Sequence, residues 1–73
     1  MSFSEAIKLS NAEHVDDVVQ RTHLRRSEVE ENIAGLIEMA KRFGLELSHP
    51  QACELTRLYI TPSAFEGVLR LTR

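Results

Sequence analysis

Residues 27–44 read S-E-V-E-E-N-I-A-G-L-I-E-M-A-K-R-F-G. Their apolar side chains recur every three or four residues, the pattern of an amphipathic helix, at Val29, Ile33, Leu36, Ile37, Ala40 and Phe43. Ser27 and Glu30 form the S-x-x-E pattern of a capping box, and Gly44 can take the left-handed conformation that ends a helix. The sequence therefore predicts a central helix over residues 27–43.

The segment before this helix shows a weaker helical pattern. Ser2-Phe3-Ser4-Glu5 is an S-x-x-E start, so it predicts a short helical turn over the next few residues. A second start at residues 10–13 and helical spacing of the apolar residues after it predict a helix from Asn11 to about Thr22. Residues 23–26 then form the connection, with Leu24 turned inward.

Two further helices follow Gly44. Ser48 begins another capping-box pattern with Gln51, and the apolar spacing after it predicts a helix that ends near Tyr59 or Ile60. Thr61 can cap the last helix, and Pro62 suits its first position because the amides there have no helical partner. We therefore predict one all-α domain over residues 1–73, a compact bundle of four or five short helices around the helix 27–43.

Size and composition restrict the function classes. A 73-residue chain buries too little apolar surface to be very stable alone, and its single cysteine excludes an intramolecular disulfide. We therefore expect the added stability to come from a homo-oligomer or a protein partner. The sequence has no signal-peptide pattern and no apolar run long enough to span a membrane, so it predicts a complete cytoplasmic protein without membrane contact. The net charge of −2 does not favour a large nucleic-acid interface.

Catalysis and cofactor binding have little support in the sequence. The candidate residues are three histidines and Cys53, of which His49 and Cys53 are four residues apart and could share a helix face. A zinc site needs three or four ligands, and no second metal-ligand pair is present. His14 with Asp17 is an ordinary surface pair. We predict no enzyme activity, no cofactor, no metal and no small-molecule substrate.

DNA binding is an alternative in two forms. In the first, residues 52–59 and 63–73 would form a helix-turn-helix whose second helix carries Arg70 and Arg73. The start of that helix offers Ser63 and Glu66 where base contacts usually concentrate, which favours a helical hairpin without DNA contact.

The second form involves a family resemblance. Residues 30–45, E-E-N-I-A-G-L-I-E-M-A-K-R-F-G-L, resemble the first helix of ribbon-helix-helix proteins. The resemblance implies that residues 18–24 form a strand that dimerises and reads the major groove. Gln20, Thr22 and Arg26 would alternate toward the bases, with His23 and Arg25 nearby. The basic DNA-binding candidates are thus Arg21 within the strand and Arg25 and Arg26 just after it. Residues 15–19 nevertheless have helical spacing, which disagrees with a strand.

Apolar residues near the two termini exceed what a small helical core can bury. We expect some of them to remain exposed, and exposed apolar patches commonly mark association sites. The candidate partner-binding residues are Phe3, Ile7, Tyr59, Ile60, Leu69 and Leu71. The sequence thus favours a small non-enzymatic interaction or regulatory module that acts as a homodimer or with a partner protein.

Overall fold

In a computed structural model, residues 2–72 are described and form four helices with no strand among them. The helices are α1 (Phe3–Thr22), α2 (Arg26–Arg42), α3 (His49–Arg57) and α4 (Pro62–Leu71). The all-α bundle with a central second helix is confirmed. The ribbon-helix-helix alternative is wrong, because residues 18–22 are helical and residues 23–24 belong to the connection that follows.

Helix α1 is one continuous helix of 20 residues, so the predicted break near Asn11 is wrong. Neither proline nor glycine occurs in it, and nothing else interrupts its backbone hydrogen bonds. Ser2 and Glu5 form the predicted capping box at its start. The helix ends at His23, which has a left-handed φ of 61°.

The ends of α2 agree only partly with the sequence prediction. The helix begins at Arg26, so Ser27 lies inside its first turn and the predicted capping box is absent. Arg26 forms ion pairs with Asp16 of α1 and Glu30 of α2, and these pairs favour the earlier start. The other end is as predicted, because Gly44 has a φ of 72°.

The ends of α3 and α4 follow the sequence more closely. Ser48 and Gln51 form the predicted capping box, and the Thr61 hydroxyl caps the helix in which Pro62 is the first residue. Helix α3 ends at Arg57, two or three residues earlier than predicted. Tyr59 then takes the left-handed conformation with a φ of 62°, and the Ile60 N–H donates to the Leu55 carbonyl at 3.0 Å. This is a Schellman motif with tyrosine where glycine is usual.

Helix α2 is the centre of the bundle. It packs against α1, α3 and α4, whereas α4 packs on α2 alone within the described chain. The main core joins α1, α2 and α3 through Val15, Val18, Val29, Ile33, Leu36, Ala52 and Cys53. Burial of these side chains supplies most of the driving force for folding.

Hydrogen bonds from two polar side chains tie the helix connections together. The Asn32 side-chain amide donates to the Thr56 hydroxyl and to the Ile60 carbonyl, each at 2.9 Å. The Tyr59 hydroxyl donates to the Thr22 carbonyl at 3.1 Å. The turn after α3 is therefore held against both α2 and the end of α1.

Candidate interaction surface

The first half of α1 extends beyond the core. Every residue from 3 to 10 is exposed, and the first buried residue of the helix is Val15. Phe3 is 82% exposed and Ile7 is 45% exposed, so the apolar side chains of this segment remain in water. The radius of gyration of 12.7 Å exceeds the value of about 11 Å typical of a compact chain of this length. We call residues 3–10 the α1 extension.

The α1 extension has one apolar side. Phe3 and Ile7 are four residues apart, so they lie one above the other on the same helix face. Leu9, which is 52% exposed, belongs to a different face because it lies only two residues from Ile7. The extension can therefore offer Phe3 and Ile7 together to another surface, while Leu9 faces elsewhere.

The other predicted partner-binding residues are not brought together into this surface. Leu69 is buried at 6% exposure on α4, and Ile60 is partly buried against the core, so these two are corrected from surface to core residues. Leu71 and Tyr59 are exposed, but they belong to α4 and to the turn after α3. Only Phe3 and Ile7 share one helix face.

The candidate DNA-binding arginines are mostly engaged with carboxylates. Arg21 pairs with Asp17 at 3.0 Å, and Arg70 pairs with Glu66 at 3.0 Å. Arg26 forms the two ion pairs described above. Arg25 forms no ion pair with a carboxylate of residues 2–72, and Arg73 lies outside the described residues.

The packing of the last two helices bears on the helix-turn-helix alternative. In that motif the second helix packs across the first, which sets its angle to the DNA. Within residues 49–71, α3 and α4 do not pack on each other, and each contacts α2 instead. This arrangement is neither a helix-turn-helix nor the self-packed helical hairpin that the sequence favoured.

His14 and Cys53 line one cavity between α1 and α3, and His49 lies next to Cys53. The cavity has a volume of about 200 Å³ and is lined in part by His14, Asp17, Cys53, Glu54 and Arg57. The Cys53 sulfur and His49 Nδ1 are 3.5 Å apart, so the two residues share a helix face as predicted. The Nδ1 atom of His14 is buried without a hydrogen-bond partner in the described chain.

The electrostatics of this cavity do not favour nucleophilic chemistry. Burial raises the pKa of the Cys53 thiol, which keeps it protonated and unreactive at neutral pH. Burial, and secondarily the nearby His14, lower the pKa of His49. Among residues 2–72, no group of three or more histidine, cysteine or acidic side chains is arranged to hold a metal ion.

A second groove lies where the start of α2 meets the turn after α3. It has a volume of about 220 Å³ and is lined by Leu24, Glu28, Asn32, Thr56, Tyr59 and Thr61. Sequence reasoning did not identify this groove. The available signal was Asn32, a polar residue three after Val29 and four before Leu36, and therefore next to the apolar face of α2.

No protein-family model, no curated protein and no solved structure matches the chain. Its class is therefore defined by its own geometry, an all-α four-helix bundle over the described residues with a projecting first helix. None of these helices is both long and apolar enough to cross a membrane.

Proposed function

We propose that the protein is a small non-enzymatic interaction or regulatory module that acts as a homodimer through the α1 extension. The observation that carries this proposal is that every residue from 3 to 10 is exposed while the segment is helical. If the partner is a different protein, we propose that it also binds the side of the α1 extension that carries Phe3 and Ile7. A lone cysteine, Cys53, is compatible with work in the reducing cytoplasm.

Helix energetics support a contact at this surface. Isolated helices shorter than about 12–15 residues are marginal in water, because nucleation is costly and few hydrogen bonds follow it. The α1 extension joins a longer helix, but none of its side chains is buried against the rest of the described chain. Burial of Phe3 and Ile7 against a second chain would supply the apolar packing that most protein helices need.

Light scattering tests the proposal. We expect the wild-type mass to rise with concentration from that of the 8.3 kDa chain towards twice that value, with little change between low and high salt. The double variant Phe3→Ser/Ile7→Ser should remain a monomer. The matched control Leu9→Ser exchanges an apolar side chain for serine on a different face, and it should associate like the wild type.

Three results would count against the homodimer. A wild-type chain that stays monomeric over the whole concentration range has no such contact. Equal association of the Phe3→Ser/Ile7→Ser variant would place the contact elsewhere on the molecule. Association that falls steeply with salt would indicate charged groups rather than an apolar face.

A further inference from the structure

We propose that the groove between the start of α2 and the turn after α3 binds one arginine side chain of a partner protein. The groove is lined by Leu24, Glu28, Asn32, Thr56, Tyr59 and Thr61, and it is separate from the α1 extension. Its volume of about 220 Å³ is below the range of roughly 300–1,000 Å³ found for drug-sized ligands. A single long side chain suits a groove of this size.

The polar groups of the groove are available mainly as hydrogen-bond acceptors. Both Asn32 amide hydrogens are used, on the Thr56 hydroxyl and the Ile60 carbonyl, which leaves the side-chain oxygen Oδ1. The Thr56 hydroxyl donates its own hydrogen to the Ala52 carbonyl, so it acts as the acceptor in its bond with Asn32. The Tyr59 hydroxyl donates to the Thr22 carbonyl, so its oxygen can only accept a further bond.

The charge of the groove is negative. Glu28 is exposed and forms no ion pair with a basic side chain of residues 2–72. None of the residues that line the groove is basic. A ligand that supplies both a positive charge and several donors therefore complements the site, whereas an anion or a pure acceptor does not.

Guanidinium fits these groups better than ammonium. Its planar fork can donate two parallel bonds to the Glu28 carboxylate, and its face can stack on an aromatic ring. Tyr59 is 62% exposed, so its ring is accessible, and the hydroxyl bond to Thr22 limits its motion. Leu24 and the ring provide apolar contact for the aliphatic stem of an arginine.

The backbone at the groove supports the same assignment. Tyr59 and His23, which precedes Leu24, are the two non-glycine residues of the described chain with positive φ. Glycine is the usual residue in this conformation, as at Gly44, and side chains cost free energy there. Strained residues of this kind concentrate at binding sites. Here the left-handed residue contributes an aromatic ring to the groove that Glu28 also lines.

The test uses the intrinsic fluorescence of Tyr59, which is the single tyrosine of a chain without tryptophan. The probe is arginine capped as N-acetyl-L-arginine methylamide, which resembles an arginine inside a protein. The matched probe is the citrulline analogue, which has nearly the same shape but no charge. We expect saturable binding of the arginine probe, at least about tenfold tighter than that of the citrulline probe.

Two variants locate the binding on the protein. Glu28→Gln removes the charge with little change of shape, and we expect it to weaken the arginine probe about tenfold. Glu31→Gln is the matched control on the same helix, because Glu31 is exposed but does not line the groove. Its affinity should stay within about twofold of the wild type. Amide chemical shifts should change at Leu24, Tyr59 and Thr61 in the same titration.

The comparison of probes in the wild type needs no variant, so it stands even if a substitution disturbs folding. Equal binding of the arginine and citrulline probes would overturn the proposal, as would the absence of saturable binding. Equal weakening in Glu28→Gln and Glu31→Gln would do the same. Tighter binding of uncapped L-arginine than of the capped probe would identify a free amino acid as the ligand, against a protein partner.

Discussion

Gly35 lies where the start of α4 meets α2. A Cβ atom at this position would come within 2.6 Å of Pro62 Cγ, which belongs to a ring with little freedom to move. We expect Gly35→Ala to destabilise the fold by about 1–2 kcal/mol, because the cost of overpacking exceeds the gain in helix propensity. Urea unfolding followed by circular dichroism measures the change.

Gly67 provides the matched control on α4. An added Cβ there meets no atom within 4 Å, so alanine gains helix propensity without a clash. Gly67→Ala should stabilise the protein by about 0.5–1 kcal/mol. If Gly35→Ala and Gly67→Ala changed the free energy of unfolding in the same direction, the contact between Gly35 and Pro62 would not restrict the packing of α4.

Tyr59 offers a second prediction at a single residue. Tyr59→Phe keeps the ring and the left-handed backbone but removes the hydroxyl that donates to the Thr22 carbonyl. We expect a loss of about 1 kcal/mol in the free energy of unfolding, the usual contribution of one hydrogen bond. Unchanged urea unfolding in this variant would mean that the hydroxyl does not tie α3 to α1.

Individual residues also show what the sequence could predict. The caps at Ser2 and Ser48 depend on neighbours three residues away, and both were predicted. The cap at Ser27 was not formed, because α2 begins one residue earlier with Arg26 bound to a carboxylate on α1. A contact between two helices therefore accompanies the start of α2, which local spacing predicted wrongly.

Helix α2 contributes the centre of the core, and Leu36 tests this role. Its side chain is fully buried, at 0% exposure. Leu36→Ala should cost about 2–5 kcal/mol of unfolding free energy through lost apolar burial and the cavity left behind. Leu71→Ala is the matched control, because Leu71 is 89% exposed, and it should change stability by less than about 0.5 kcal/mol. Similar costs for the two variants would contradict the central place of α2.

We expect the free energy of unfolding to depend on pH through His49, a residue of α3. Burial and the nearby His14 hold the pKa of His49 below the ordinary value of 6.5 in the folded chain. Below pH 6.5, His49 takes up a proton more readily in the unfolded chain than in the folded chain. The population of the unfolded state therefore grows as the pH falls. The contribution of His49 is therefore complete above pH 6.5 and is lost as the pH falls through the lower pKa of the folded state.

Urea unfolding at about pH 7.5 and about pH 5.5 measures this effect on both sides of the histidine range. We expect the wild type to be less stable at the lower pH and the variant His49→Gln to lose less stability over the same interval. An equal loss in the two proteins would assign the pH dependence to other groups around the cavity.

At the level of helices, the sequence predicted the all-α class and the order of the helices, but not that α1 is one continuous helix. The strong apolar stripe of α2 identified the central helix, because one face of it must be buried. The buried stripe of α1 starts at Val15, so the spacing of Phe3 and Ile7 was too short a signal to join the extension to the rest of the helix. Helix packing was also beyond prediction, since spacing along a chain does not show that α4 packs on α2 rather than on α3.

For the whole molecule, surplus apolar residues predicted an exposed surface but not its location. Phe3 and Ile7 share a face, whereas Leu69 is buried and Ile60 is partly buried. Deciding which apolar residues stay outside requires the arrangement of all four helices. The groove at Glu28 and Tyr59 joins residues about thirty positions apart, so local spacing could indicate only the polar position of Asn32 and not the groove itself.

The measurement that tests the central claim most directly is amide hydrogen exchange of Ile7 to Ala12 at low and high protein concentration. Without a second chain, this part of α1 should open readily because none of its side chains is buried. We predict that protection rises with concentration in the wild type and does not rise in Phe3→Ser/Ile7→Ser. Protection that is the same at both concentrations in the wild type would contradict a homodimer formed through the α1 extension.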